Sequence, residues 1–212
     1  MERVQTMAVE GSMSGGEVAR WAEALIHTRR TILPKRLAAP GPDAAELQAI
    51  VGAAAAAPDH GQLLPWRLVL VPIEERATLA DLFAQALLER DASASPEQQA
   101  QARDKAFRSP TLLLLIVDGA RGDPEIDLSE RMVSAGCAVQ NILLMATALG
   151  YGSSLTSGKA LKSQAVRAHL RLGANEHAVC FISLGRVASQ RAPRQRPAVG
   201  DYFSVFGARP EA

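Results

Sequence analysis

The sequence predicts an α+β fold in which helices are layered around a small sheet. Three observations lead there. Segments with a helical apolar repeat outnumber strand-like ones, and the strand-like segments are separated by helices. The third is Thr111–Val117, a strand apolar at every position after its first, which requires cover on both faces. At 212 residues the chain can bury a sizeable core as one domain. It contains no internal repeat.

Each element follows from its own signals. Ser14 and Glu17 form an S-x-x-E capping box for a first helix reaching about Thr28, with Val18, Trp21, Ala22 and Leu25 on one face. Pro34 and Pro40-Gly41-Pro42 mark a loop. Asp43, with Glu46 three residues on, caps a second helix whose inward face is Leu47, Ile50, Val51 and Ala54, and Pro58 stops it. Trp66–Val71 alternates weakly as a strand. Glu74–Arg90 is helical, with Leu79, Leu82, Phe83, Ala86 and Leu87 inward. Ser95-Pro96 opens another helix, running to about Phe107, with Pro at its first position.

Leu128–Leu149 is the longest helix, apolar on most sides, which suits a core or a subunit interface. Gly150-Tyr151-Gly152 ends it. Ser153–Leu155 reads as a short strand, Ala160–Leu170 as a helix and Ala178–Leu184 as a strand, before a basic, proline-rich tail from Arg186. Residues 1–16 read as a loose arm and 17–212 as a single domain.

Composition excludes several function classes. The chain is 48% hydrophobic but only 4% aromatic, so Ala, Leu and Val must build the core. Lys+Arg number 23 against 22 Asp+Glu, so no global field draws the protein to nucleic acid or an anionic membrane. Cys137 and Cys180 lie in apolar segments without CxxC spacing and read as inert thiols, which fits a reducing cytoplasm. The N-terminal segment lacks the apolar core of a signal peptide, and Leu112–Val117 is too short to span a bilayer.

The candidate chemistry is sparse. Arg29-Arg30-Thr31, at the end of the first helix, groups two planar forks of N–H donors with a hydroxyl, a set suited to a phosphate monoester. Taken alone, cations that offset a helix dipole would explain the arginines as well. Arg194 and Arg196 in the tail could close the same phosphate from the other side, or form a solvated charge run. His60, beside Asp59, reads as a surface turn or as a donor to a ligand. Tyr151 to Gly158 is rich in small polar residues, forming a flexible loop or a strip whose backbone approaches a flat ligand. There is no GxGxxG, no P-loop, no zinc-ligand spacing and no nucleophile paired with a base. A protein that can hold phosphate but owns no reactive side chain takes its chemistry from a cofactor.

Taken in order, these segments resemble the nitroreductase family of FMN-dependent oxidoreductases, particularly its short members. The matching pieces are Arg29-Arg30-Thr31, Ala57-Pro58-Asp59-His60 with Pro65-Trp66, and Ala106-Phe107-Arg108-Ser109-Pro110 before the apolar strand. They continue with Ser134-Ala135-Gly136-Cys137-Ala138, Gly150-Tyr151-Gly152 with Leu155-Thr156-Ser157-Gly158, and Leu184-Gly185. Thr31 stands where the family usually has Ser, and Ala56 where close relatives often carry a basic FMN contact. The asparagine that many members use near the ring is missing from the segment after His60.

The resemblance implies a three-layer sandwich with a small, mostly antiparallel sheet, in an intertwined homodimer with FMN at the interface. It implies that Arg29, Arg30 and Thr31 hold the phosphate and ribityl chain, helped by Arg194 or Arg196. The partner subunit's His60 would reach the flavin, and Leu155, Thr156, Ser157 and Gly158 would lie along the ring, with a backbone N–H of Ser157 or Gly158 facing N5. A hydride would pass from NADH or NADPH to FMN, and electrons to a nitroaromatic, quinone or similar acceptor by a ping-pong mechanism. Two other readings stay open: a flavin-dependent dehydrogenase or oxidase of a specific small molecule, and a flavin-binding protein with little turnover.

Overall fold

The apolar run at Thr111 becomes β3 (Thr111–Asp118), the strand about which the rest of the chain is layered. A computed structural model describes residues 14–189, 192 and 194–207. β2 (Trp66–Leu70) pairs with one edge of β3 and β5 (Glu176–Val187) with the other, both antiparallel, with Trp66 opposite Val117 and Leu113 opposite Ile182. β5 also pairs antiparallel with β1 (Leu37–Ala38) and β4 (Gly152–Thr156). The named strands thus form one antiparallel sheet.

Alternation along β3 sends successive side chains to opposite faces, so the sheet is covered twice. Leu113, Leu115 and Val117 pack with Ile182 and Leu184 beneath α2 (Ala44–Gly52) and α5 (Leu128–Ala148). Leu112, Leu114 and Ile116 face α3 (Arg76–Arg90) and α4 (Pro96–Asp104), where Phe83 meets Phe181 edge-to-face at 5.7 Å between ring centroids. The result is the three-layer α+β sandwich that the resemblance implies.

The capping signals act as the sequence predicts. Ser14, Asp43 and Ser95 each accept from the backbone N–H three residues on, while Glu17, Glu46 and Gln98 reach back to the capping N–H. α5 ends in a Schellman motif at Gly150 (φ 77°): Tyr151 N–H donates to Ala146 O at 2.8 Å and Gly150 N–H to Thr147 O at 3.0 Å. This fixed turn delivers the chain directly into β4.

Some boundaries differ. α2 stops at Gly52 and the alanine run continues as a 3-10 turn, Ala53–Ala56. Ala160–Leu170 is divided into a 3-10 turn (Lys159–Lys162) and α6 (Gln164–His169), because extended Ser163 caps the latter by accepting from Val166 N–H at 3.2 Å. β5 runs past the Ala178–Leu184 segment because β1 gives Arg186 and Val187 a partner. The first helix, α1 (Gly15–Thr28), starts directly after Ser14, the cap that the sequence predicts; residues 1–13, most of the expected arm, lie outside the described residues.

No residue of α1 is buried, and Trp21 is 70% exposed. Val133 on α5 and Tyr202, Phe203 and Phe206 in the tail are exposed as well. Cys137 and Cys180 are free thiols. Among the described residues no helix is long and apolar enough to cross a membrane.

Candidate functional site

The site is assembled where the end of α1 meets the edge of β4. After its last turn the chain leaves helical geometry at Arg29 and runs alongside β4: Thr31 bridges Ser153, and Ile32 N–H donates to Ser153 O at 2.9 Å. Gly152 permits this approach. A Cβ there would stand 2.8 Å from Val187, 2.9 Å from Leu37 and 3.1 Å from Ile32.

The tail returns to the same place. Arg196 Nη2 donates to the Arg29 carbonyl at 3.1 Å, which answers a question the sequence left open: the two arginine clusters meet. They enclose a cavity of about 530 Å³ lined by Arg29, Arg30, Arg36, Arg194 and Arg196, with His27 and Thr31. No carboxylate is among the described lining residues. Arg29 and Arg30 are half-buried. Burial first, and the Arg196 guanidinium second, hold the Arg29 pKa below the ordinary guanidinium value. Like charges gathered without a counter-ion are relieved by a bound anion, and guanidinium forks beside a hydroxyl fit phosphate oxygens. Arg36 in this cavity is an addition; nothing in its local sequence distinguishes it from a solvated charge.

Two residues beyond Ser153, about 7 Å along an extended strand, begins the strip predicted to meet a flat ligand. Leu155, Thr156, Ser157 and Gly158 are all exposed. Neither Ser157 N–H nor Gly158 N–H donates to an acceptor among the described residues, and a Cβ on Gly158 would meet nothing within 4 Å. The small residue is therefore not demanded by the chain's own packing. Thr156, Ser157 and Gly158 line a second cavity of about 610 Å³, roofed by α3 and α4 and floored by Phe181 and Ser183.

Two predicted residues lie elsewhere. Ala56 is exposed at the end of the 3-10 turn after α2, and His60 is exposed with Nδ1 2.7 Å from Glu130 Oε2 on α5. Neither lines either cavity of its own chain. Behind them Trp66 Nε1 donates to Ser134 Oγ at 3.1 Å, tying β2 to α5.

Fold and site define a class: a doubly covered antiparallel sheet whose edge strand joins an anion cradle to an open backbone strip. The Nitroreductase family model matches residues 26–186, a span that includes the first arginine cluster, the strip and most of β5. The chain belongs to the nitroreductase family. It is 31% identical over 174 residues to a Haemophilus influenzae protein that carries the name NAD(P)H nitroreductase, covering 81% of this chain and 90% of that one. It is also 31% identical over 165 residues to a similarly named protein, YdjA, of Escherichia coli K12, covering 77% and 86%. Among solved structures it is similar in fold to a nitroreductase-like family protein from Bacillus cereus, with TM-score 0.73 and 16% identity over 95% of this chain and all of that one. A variant of the FMN- and NADPH-dependent nitroreductase NfnB from Sphigopyxis sp. strain HMH gives TM-score 0.68 and 21% identity over 88% and 99%.

Proposed function

We propose that the protein is an FMN-dependent NAD(P)H oxidoreductase that passes electrons to a nitroaromatic, quinone or similar small acceptor, working as a cytoplasmic homodimer. The observation that carries this reading is the junction at Ser153, where a carboxylate-free arginine cradle and an open strip with unused N–H donors share one strand edge. A ligand with phosphate at one end and a flat ring at the other fits that junction. The name of the similar NfnB protein gives FMN and NADPH for that enzyme. The free thiols of Cys137 and Cys180 suit a reducing compartment.

FMN held by these residues would supply the hydride and electron transfer between NADH or NADPH and the acceptor, in ping-pong order. This chain's residues bind and orient. Arg29, Arg30, Arg194 and Arg196 neutralise the phosphate, and the Thr31 hydroxyl donates to it or to the ribityl chain. Leu155 and Thr156 support the ring. The N–H groups of Ser157 and Gly158 are donors already oriented by the end of β4, able to stabilise negative charge without reorganising.

The second subunit enters through what one chain leaves bare. α1 has an apolar face and no buried residue, Val133 on α5 is 66% exposed, and three aromatic side chains of the tail face outward. One chain rarely leaves so many large apolar side chains in water unless another covers them. The partner subunit's His60 and the backbone near the partner subunit's Ala56 would then complete the flavin site.

The test is optical. Protein reconstituted with FMN and freed of excess cofactor should be yellow, and should bleach when NADH or NADPH is added anaerobically. Protein that stays colourless after reconstitution overturns the reading. Yellow protein that neither nicotinamide bleaches would redirect it to a flavin enzyme with another reductant, or to a flavin carrier.

A further inference from the structure

The cavity beside Thr156–Gly158 combines an apolar floor with a one-signed rim. Phe83 and Leu87 of α3, Leu112 of β3 and Phe181 of β5 supply the apolar surface. Arg90, Lys105, Arg108 and Lys159 also line it, and no carboxylate is among the described lining residues. None of these four cations forms an ion pair with a described residue. Two acids of α3 are engaged elsewhere: Asp81 pairs with Arg103, and Glu89 accepts from the N–H groups of Gln164 and Ala165.

The four come from three segments: Arg90 from the end of α3, Lys105 and Arg108 from the turn after α4, and Lys159 from the loop after β4. The fold, rather than a basic run in the sequence, brings them together. A chain of net charge +1 has no general excess of cations to explain the cluster. Four unpaired cations around an apolar slot repel one another until an anion enters, and only a ligand that is both apolar and anionic satisfies floor and rim together.

On the flavin reading above, we propose that this cavity receives the electron acceptor, and that the acceptor is a planar aromatic or quinonoid molecule bearing a carboxylate or sulfonate. Lys105 and Arg108 are its specificity-determining residues. For a carboxylated quinone the balance is quinone plus NAD(P)H plus a proton, giving hydroquinone plus NAD(P)⁺. The carboxylate takes no part in the electron transfer and serves only recognition.

Two measurements test this. Calorimetric titration of the purified protein should show naphthalene-2-carboxylate binding about 10- to 100-fold more tightly than naphthalene-2-carboxamide, the range expected for a charge-assisted contact. In the double variant Lys105→Gln, Arg108→Gln that advantage should vanish. Titration needs no turnover, so it gives its answer even if the flavin reading fails. In steady state, kcat/KM for 4-nitrobenzoate should exceed that for 4-nitrobenzamide by a similar factor, again lost in the double variant. Equal binding of carboxylate and amide to the unaltered protein overturns the proposal. So does a double variant that keeps the carboxylate preference but loses NADPH relative to NADH, since the cations would then read the dinucleotide's phosphate. Circular dichroism checks that both exposed substitutions leave the fold intact.

Discussion

Arg131 and Arg76 are each 1% exposed, yet neither pairs with a carboxylate among the described residues. Arg131 donates instead to the carbonyls of Ile126 at 2.9 Å, Arg121 at 2.6 Å and Asp123 at 2.7 Å, gathering the loop before α5 onto one guanidinium. Arg76 does the same between the ends of β2 and α4, at Val71 and Ala106. Arg131→Met should therefore destabilise the protein by about 3 kcal/mol, because one buried and two partly buried carbonyls lose a charged donor. Urea denaturation would show it, and Arg131→Lys should recover little, since one ammonium cannot match the fork. Arg29 behaves oppositely. Its environment disfavours its own charge, so Arg29→Ala should leave the urea midpoint unchanged or raised, while FMN affinity, read by flavin fluorescence, falls roughly 10- to 100-fold. Unchanged affinity would remove Arg29 from the site. The sequence distinguishes these two uses of arginine only in part. Arg29-Arg30-Thr31 is conspicuous as a pair beside a hydroxyl, whereas Arg76 and Arg131 look like ordinary helix charges until their loops fold back on them.

Among the elements, those with short-range signals were legible. Capping boxes at Ser14, Asp43 and Ser95 and the Gly150 stop are written in a few adjacent residues, and they start or end helices where expected. β1 was not legible, because two residues, Leu37 and Ala38, carry no period and become a strand only by meeting Arg186 and Val187 about 150 positions away. The same pairing extends β5 beyond its apolar run. β5 also carries a titration. Cys180 is buried within the apolar core, and that burial pushes its thiol from 9.0 up to about 11. Between those values the unfolded chain releases a proton that the native chain keeps. Stability is therefore full below pH 9 and declines as pH rises towards 11, by up to roughly 2–3 kcal/mol. Urea midpoints measured from pH 8 to 11 should show this decline, and Cys180→Ala should reduce it. A decline identical in both proteins would assign it to other groups.

At the scale of the whole molecule, the site was legible in its parts and not in its assembly. Small polar residues at Ser153–Gly158 and adjacent arginines at 29 and 30 each announce a ligand weakly; their contact through Ile32 and Ser153 is a long-range event that no local pattern encodes. The placement of Lys105, Arg108 and Lys159 on one rim was hidden for the same reason. The amphipathic face of α1 was readable, but what it packs against was not, and a single chain does not supply the answer. Trp21, at 70% exposed, is the largest apolar group on that helix and the natural anchor for a second copy. If α1 docks there, Trp21→Glu places a charge in a desolvated contact and should weaken the dimer by about 100-fold or more, seen as a halved mass in light scattering at low micromolar protein. Far-ultraviolet circular dichroism should stay the same, because no residue of α1 contributes to the buried core of its own subunit. FMN retention should fall together with the mass, since the partner would supply part of the flavin site. A variant that remains dimeric at those concentrations would take α1 out of the interface. A variant that becomes monomeric but keeps its FMN would show instead that one chain completes the site by itself.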